Sequence, residues 1–472
     1  MNLVDFDLQV GGRGQVERDL RARSSPTAPG GRRPPSAVDF VRSRFGCLFA
    51  LALFAGGTLG LGAGPRPAEA YRSLTDDGGW CWFADPRAIT RGGRTYAGWI
   101  TADGSVQVGM LEAASGKVSV ATLHEKYQRD DHDVPALFFL NDGRLLALYS
   151  KHGGPDMNAR VTTRPGDITA WEPERVLDLF GGPRPRRSIT YPNPVRLTAE
   201  ANAIYLFWRG DAIKPTFSRS TDDGLTWSPA RELVARRENA ERNRPYVKIA
   251  SNGRDRIHIA FTDGHPNIEP TNGLYYLCYR AGALSSAAGH RIGGLEQTPL
   301  QPSQAERVYD GQAGGRAWVW DVAADAQDRP VIVYVRIPDT GDHRYRYARW
   351  DGARWQDHEI CAGGKWFPQT PPGVTEREPF YSGGLVLDHT DPSVVYLSRP
   401  VNGVREIERW TTADGGRTWR NEPITRGSAH DNVRPFVVRR EGPGGPTVLW
   451  MNLRDHYTHF TDYLGAIKMD SP

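Results

Sequence analysis

Two octapeptides in this chain, Ser220-Thr221-Asp222-Asp223-Gly224-Leu225-Thr226-Trp227 and Thr412-Ala413-Asp414-Gly415-Gly416-Arg417-Thr418-Trp419, share the pattern S/T-x-D-x-G-x-T-W. An Asp that bonds nearby backbone and a Gly that accepts positive φ make such a segment a tight hairpin turn. The Trp offers a large apolar face for packing between neighbouring sheets. Weaker echoes occur at Thr163 to Trp171 and at Arg349 to Trp355. Reading outward from these turns divides the chain into units of roughly fifty residues, the signature of a repeat architecture. Composition agrees: Gly 52, Pro 35, Trp 14, Tyr 18 and Phe 16 suit many turns and short strands. No long amphipathic helical pattern follows the first seventy residues or so.

Seven segments open such units. They lie near Phe83-Ala84-Asp85-Pro86-Arg87-Ala88-Ile89, 133–137, 191–195, 246–250, 320–323, 381–386 and 432–437. The octapeptide is the Asp-box, a turn of β-propellers. The expected fold is all-β, a seven-bladed β-propeller of four-stranded antiparallel blades. It fills residues 71–472 as a single domain, although softer boundaries leave six or eight blades open.

Residues 1–40 are rich in Arg, Gly, Pro and Ser and are expected to be disordered, or to precede the true start. Arg42 and Arg44, the apolar run Phe45 to Leu61, and Ala68-Glu69-Ala70 follow in the order of a secretory signal. A signal peptide over 41–70, cut before Tyr71, predicts a secreted or periplasmic protein, off the membrane once the signal is removed. A membrane anchor is the alternative, but the run is short and rich in Gly and Ala. The formal charge of +4 and the lack of a Lys/Arg run argue against nucleic acid as a partner. Cys47 would leave with the signal. Cys81, Cys278 and Cys361 remain, an odd number without CxxC spacing. One disulfide plus a free thiol stays open, and zinc is not indicated. Buried small apolar groups account for them most simply.

In an antiparallel blade, the start of strand one and the end of strand two lie on the same face. The starts carry Asp131 and His132, Tyr191 and Asn193, Tyr246, Trp320 and Asp321, Tyr381, and Asn432 and Arg434. The second-strand ends carry His152, Arg209, Asp263 with His265, Arg336, Arg399 and Arg454. The Asp-box turns fall on the opposite face. One mouth therefore collects His, Tyr and Arg, a concave, electropositive setting for an anionic ligand. Arg suits carboxylate or sulfate because its planar fork binds two oxygens at once.

With these residues in view, the chain resembles the BNR-repeat propeller family that includes ulvan lyases and rhamnose–glucuronate lyases. The resemblance runs through Trp82-Phe83-Ala84-Asp85-Pro86-Arg87, Asp130-Asp131-His132-Asp133, Tyr149-Ser150-Lys151-His152-Gly153 and Tyr191-Pro192-Asn193-Pro194. It continues through Phe207-Trp208-Arg209, Arg244-Pro245-Tyr246-Val247-Lys248 and Phe261-Thr262-Asp263-Gly264-His265-Pro266, covering roughly residues 78–280. It implies that His132 and Tyr191 flank the scissile bond, that His152 assists, and that Arg209 binds a uronate carboxylate, with Tyr246 and His265 as further contacts. Asn193, Asp131 and Arg434 are carried as substrate-binding candidates from the mouth. Asp133 departs from the family, whose members often carry Asn there.

The reaction so implied is β-elimination of a uronate-containing polysaccharide, built on glucuronate or iduronate, with rhamnose linkage and sulfation left open. It requires removing the C5 proton alpha to a carboxylate. Arg209 would neutralise that carboxylate. Neutral His132 or deprotonated Tyr191 would take the proton and the other would protonate the leaving oxygen, with Asp131 or Asp133 orienting an imidazole. No cofactor is required by this scheme, and no structural metal is indicated. The expected partner is an acidic polysaccharide or oligosaccharide, bound by a monomer. Two other readings stay open. A sialidase-like hydrolase would use Arg336, Arg399 and Arg454 with Asp85 or Asp321. A non-catalytic carbohydrate-binding propeller would use the same mouth for contact alone.

Overall fold

The computed structural model describes residues 71–182, 188–235, 244–368, 370–371, 373–442 and 444–470. The expected N-terminal extension (1–40) and signal peptide (41–70) lie outside the described residues. Among the described residues seven blade sheets are present, as the unit count predicts, five of four strands, one of five and one of six. Their innermost strands are Ala88–Arg91, Ala136–Phe139, Thr190–Leu197, Val247–Ser251, Arg316–Ala324, Leu385–Leu387 and Asn432–Val437. These are the inner strands of blades 1 to 7, and the protein is a seven-bladed β-propeller.

Blade 7 closes the ring with both ends of the described chain. Its strands Asn432–Val437, Val448–Asn452 and Ala466–Met469 come from the C-terminal end, and Arg72–Thr75 adds the outermost strand, Arg72 pairing Met469. Leu74 is buried there and Tyr71 stacks edge-on to Trp450 at 5.3 Å. Blade 1 carries an extra parallel strand, Arg439–Glu441, along its inner edge. Among the described residues no helix is long and apolar enough to cross a membrane. Cys81, Cys278 and Cys361 are free thiols, two buried and one half-buried.

The first inner strand begins at Ala88, five residues later than the sequence reading placed it. Residues 80–87 are irregular instead, because their polar groups bond to other blades rather than to a ladder. Trp80 Nε1 donates to Arg434 O at 3.1 Å and Trp82 Nε1 to Val319 O at 3.4 Å. Asp85 N donates to Pro192 O and Leu137 N to Pro86 O. Lys248 Nζ donates to Trp82 O at 2.5 Å and also pairs with Asp85. Trp82 lies flat on Trp320, centroids 4.2 Å apart. This segment therefore threads the ring and ties blades 2, 3, 4, 5 and 7 to one axis.

Register separates the two faces. In blade 3, Arg209 pairs with Thr190 and with Pro215 at one end, while Ile204 pairs with Ser220 at the other. The octapeptide beginning at Ser220 thus turns on the face opposite Arg209. In it, Asp222 accepts from Thr226 N at 2.9 Å, and Gly224 N donates to Ser220 Oγ at 2.9 Å. The second copy repeats the bonds through Asp414, Thr418, Gly416 and Thr412. Trp419 packs edge-on against Tyr347 of blade 5 at 5.2 Å. Gly416 has φ +98°, and a Cβ there would meet the Tyr347 ring at 2.7 Å. Gly416→Ala is therefore expected to lower stability by about 1–3 kcal/mol, measured by urea unfolding.

Candidate active site at the open mouth

The two histidines singled out by the sequence meet over one carboxylate. Asp130 caps the short turn Asp131–Asp133, accepting from the His132 backbone N–H at 3.0 Å. His132 Nδ1 donates to Asp130 Oδ1 at 2.6 Å, and His152 Nδ1 donates to Asp130 Oδ2 at 3.0 Å. The imidazoles stack, centroids 4.2 Å apart and 11° between planes, with Phe460 edge-on to both. The orienting acid is thus Asp130, where the sequence reading expected Asp131 or Asp133. Capping the turn already fixes the Asp130 carboxylate between the rings.

One carboxylate shared by two rings splits their protonation. Burial disfavours charge on Asp130, yet His132 and His152 hold it below the usual carboxylate range. Burial also opposes charge on His132, but Cys81 and Asp130 beside it lift the ring well above the usual imidazole range. Burial and then the charge on His132 push His152 down to about 4. At neutral pH the pair carries one positive charge, on His132. Because Asp130 takes the Nδ1 hydrogen of His152, the bare nitrogen of that neutral ring is Nε2. The His132 side chain is 4% exposed and that of His152 25%, so the neutral ring is the open one.

Tyr191 stands beside this pair, its ring 5.6 Å from His132 and 6.5 Å from His152. The blade 3 ladder slips between Thr190 and Asn193, and Tyr191 takes left-handed backbone, φ +65°. Such a conformation is costly for a bulky residue and re-aims the side chain off the strand. Burial, then Tyr246, pushes the Tyr191 phenol well above its usual range, with Arg209 pulling the other way. Tyr191 is therefore a neutral phenol here, not a phenolate. The Arg209 guanidinium lies 4.7 Å from the Tyr191 ring centroid and donates to Tyr246 OH at 3.0 Å and Thr190 Oγ1 at 3.1 Å. His265 follows, 5.4 Å from Tyr246 and 4.7 Å from Trp318. Burial, with Arg244 next, lowers it to about 3, and its Nδ1 accepts from Asn267 N at 3.0 Å, which leaves Nε2–H as a donor.

Asn193 lines the small pocket that holds Tyr191, Arg209 and Tyr246, while Asp131 and Arg434 sit beneath it. Asn193 donates its amide to Phe83 O at 2.8 Å and Tyr191 O at 2.9 Å, holding the bulge. Asp131 and Arg434 form an ion pair with both side chains fully buried, joined by Tyr457 OH at 2.6 Å and 2.7 Å. They support the floor and present no surface to a ligand. The residues expected to make a hydrolase are likewise engaged. Arg399 pairs with Glu408, Arg336 lies 3.6 Å from Glu359, and Arg454 donates to Asp76 O. Asp85 is held by Arg87 and Lys248, and Asp321 accepts from His389 and Leu387 N. The sequence reading missed Asp130, Phe460 and Trp318. Asp130 stands inside the quoted motif, but its cap geometry has no sequence mark apart from the Asp itself.

Among the described residues, two sets of groups gather three metal-capable atoms within 4.8 Å: Cys81, Asp131 and His132, and Asp130, His132 and His152. In the first, the Arg434 cation already holds Asp131. In the second, the two Nδ1 atoms and the Asp130 oxygens already bond one another.

The model of the BNR repeat-containing family matches residues 94–362, and the chain belongs to that family. It is 23% identical to an ulvan lyase of Nonlabens ulvanivorans over 338 residues, 63% of this chain and 66% of the relative, just under two thirds of its length. A solved polysaccharide lyase PL25 ulvan lyase, bound to -[GlcA(1-4)Rha3S]-, superimposes with TM-score 0.65 at 17% identity, covering 84% of this chain and 95% of that one. The structure of a PL25 ulvan lyase described without that ligand gives TM-score 0.64 at 17% identity, over 85% and 96%.

Asp133, unexplained by the sequence, is pushed well above the usual carboxylate range by burial and then by Asp130. A neutral carboxyl closely matches an Asn side chain in shape and charge. A raised pKa means that the folded state binds the proton more tightly, so its stability falls as pH rises above the unfolded value, about 4. Asp133→Asn is expected to raise Tm at neutral pH and to raise it less near pH 4. Asp131→Ala, which strands the buried Arg434, is expected to cost about 3–5 kcal/mol in urea unfolding.

Proposed function

We propose that this protein is a lyase that cleaves an acidic, uronate-containing polysaccharide by β-elimination. The observation that carries the reading is the Asp130 clasp. It leaves a neutral, open His152 Nε2 beside a neutral Tyr191 phenol and the Arg209 guanidinium. The family membership and the ulvan lyase relatives support the same class.

Arg209 takes the uronate carboxylate and makes the C5 proton more acidic, a contribution of several kcal/mol where water is excluded. His152 Nε2 accepts that proton. Tyr191 OH donates to the departing O4, and the adjacent Arg209 stabilises the phenolate as it forms. His132, already charged and 3% exposed, tunes His152 and holds the stack rather than taking the proton. The histidine roles are thus exchanged relative to those implied by the resemblance. Tyr246 and His265 Nε2–H line the same cleft as sugar contacts. Export, expected from residues 41–70, fits a polymer substrate.

Incubation with glucuronate polysaccharides should give a product absorbing in the ultraviolet from its new C4–C5 double bond; a non-absorbing product points to hydrolysis. His152→Ala and Tyr191→Phe are expected to lose about 100- to 10,000-fold in kcat/KM with Tm nearly unchanged. His152 must be neutral to accept the proton. Its acid limb should therefore lie low, kcat/KM falling only as pH drops towards about 4. An acid limb near the ordinary imidazole value would overturn the assignment of His152 as base.

A further inference from the structure

Below the floor of the mouth the ring encloses a second cavity, of about 440 Å³, that the lyase chemistry does not use. Asp85 and Pro86 of the axial segment roof it together with Asn193, which also lines the small pocket of Tyr191, Arg209 and Tyr246. Its walls are the far ends of inner strands. Phe139 and Ser251 are the last residues of theirs, and Arg196 is the last but one of its own. Arg196 Nη2 donates to Asp223 of the first octapeptide turn at 2.6 Å, so the cavity lies towards the face of those turns, away from the histidine pair. The extra parallel strand of blade 1, where Ile89 pairs with Arg439 and Arg91 with Glu441, closes the side between blades 7 and 1.

Much of the wall is apolar: Ile89, Leu137, Phe139, Ile249 and Ala250 line it, and all are buried. Two cations interrupt it. The Arg196 guanidinium lies on the Phe138 ring, 4.9 Å from its centroid, and among the described residues its Nε has no hydrogen-bond partner. Arg439 lies on Phe436 at 4.8 Å, and its Nη1 donates to Val437 O at 3.0 Å. Its Nη2 stands 3.5 Å from Asp321, beyond an ordinary hydrogen bond. Asp321 is already served by Val322 N, Leu387 N and His389 Nε2. The carboxylates of the lining are answered too, Asp85 by Arg87 and Lys248 and Glu441 by Arg91. The polar capacity left at the wall is therefore that of cationic donors. A guanidinium held flat on an aromatic ring keeps its edge N–H groups for an oxyanion.

We propose that this cavity is a second ligand site, for a small amphipathic carboxylate whose apolar body packs against Leu137, Phe139 and Ile249 and whose acid head is held by Arg439 and Arg196. A concave site of this size, apolar over most of its wall with a few polar groups, is the usual form of a small-molecule site. The apolar body displaces water that such walls cannot hydrogen-bond. The head supplies Arg196 and Arg439 with acceptors that the folded chain does not give them. A sugar polymer, hydroxylated on every ring, would strand those hydroxyls against Ile89, Leu137 and Phe139. The site is thus separate from the catalytic mouth in chemistry as well as in place, and the inference stands whether or not the mouth is a lyase site.

The probe is octanoate, titrated calorimetrically into the full chain, with 1-octanol as the same body without the charge. One octanoate per chain should bind with Kd below about 1 mM, and 1-octanol at least about tenfold more weakly. Arg439→Gln and Arg196→Gln should each weaken octanoate by about tenfold or more, with little effect on 1-octanol. Ala250→Leu, which fills the cavity and leaves both cations in place, should weaken both ligands. An excess of a glucuronate-containing oligosaccharide should leave the octanoate isotherm unchanged. No binding to the native chain, equal affinity for octanoate and 1-octanol, or native-like octanoate binding by the folded Arg variants or by Ala250→Leu overturns the proposal. So does displacement of octanoate by the oligosaccharide, which places the probe at the mouth. Where an Arg variant fails to fold, the 1-octanol comparison and Ala250→Leu decide.

Discussion

The propeller depends on the irregular segment of residues 80–87 that runs along its axis. Seven blades packed in a ring leave a central channel, and inner strands facing it need partners for their ends. Trp80, Trp82, Asp85 and Pro86 supply those partners to blades 7, 5, 3 and 2, and Lys248 reaches back from blade 4. The same residues form the floor of the mouth. Phe83 lies 5.4 Å from Tyr191 and 4.7 Å from Tyr246, so the rings that flank the proposed substrate rest on the axis. Cys81 lies beneath His132 and donates its backbone N–H to Asp131 O at 2.9 Å. Blade packing and site geometry therefore share one support.

Burial at this floor is tolerated because each charge is answered. Four consecutive residues, Asp130 to Asp133, include three carboxyls in a region of almost no solvent access. Asp130 is neutralised by the histidine pair, Asp131 by Arg434, and Asp133 by keeping its proton. Removing two charges from water costs several kcal/mol per ion unless geometry and further hydrogen bonds are good. Tyr457 and the Trp80 carbonyl supply those further bonds to the Asp131–Arg434 pair. The consequence for chemistry is asymmetry. Two stacked imidazoles on one carboxylate hold one charge between them, and the ring left neutral is the one nearer solvent. Pairs whose environments drive their pKa values apart are what acid–base catalysis needs.

Much of this was legible in the chain. The octapeptides at Ser220 and Thr412 are hairpin turns with the Asp and Gly contacts their pattern implies, and seven inner strands begin near the residues read as starts. The alternation of faces placed His132, His152, Tyr191, Arg209, Tyr246 and His265 at one mouth, where they meet. The start-of-strand argument placed Asp131 and Arg434 at the correct end but not at the right depth, because position along a strand specifies an end and not a depth. Both are fully buried. The axial segment was misread as strand since its apolar residues, Trp82, Phe83 and Ala84, resemble a buried strand in period and composition.

Local pattern by itself determined the turns, the repeating blade unit, and which residue types share the open face, since those follow from short-range hydrogen bonding and from the two-residue period of strands. Tertiary structure alone decided which imidazole is charged, which acid orients them, and which Arg remains available to a ligand. Those outcomes hang on distances between residues far apart in the chain, such as the 303 positions separating Asp131 from Arg434, and on how completely the ring excludes water from each. Burial and Coulomb terms are set by the assembled blades, and no single segment carries them.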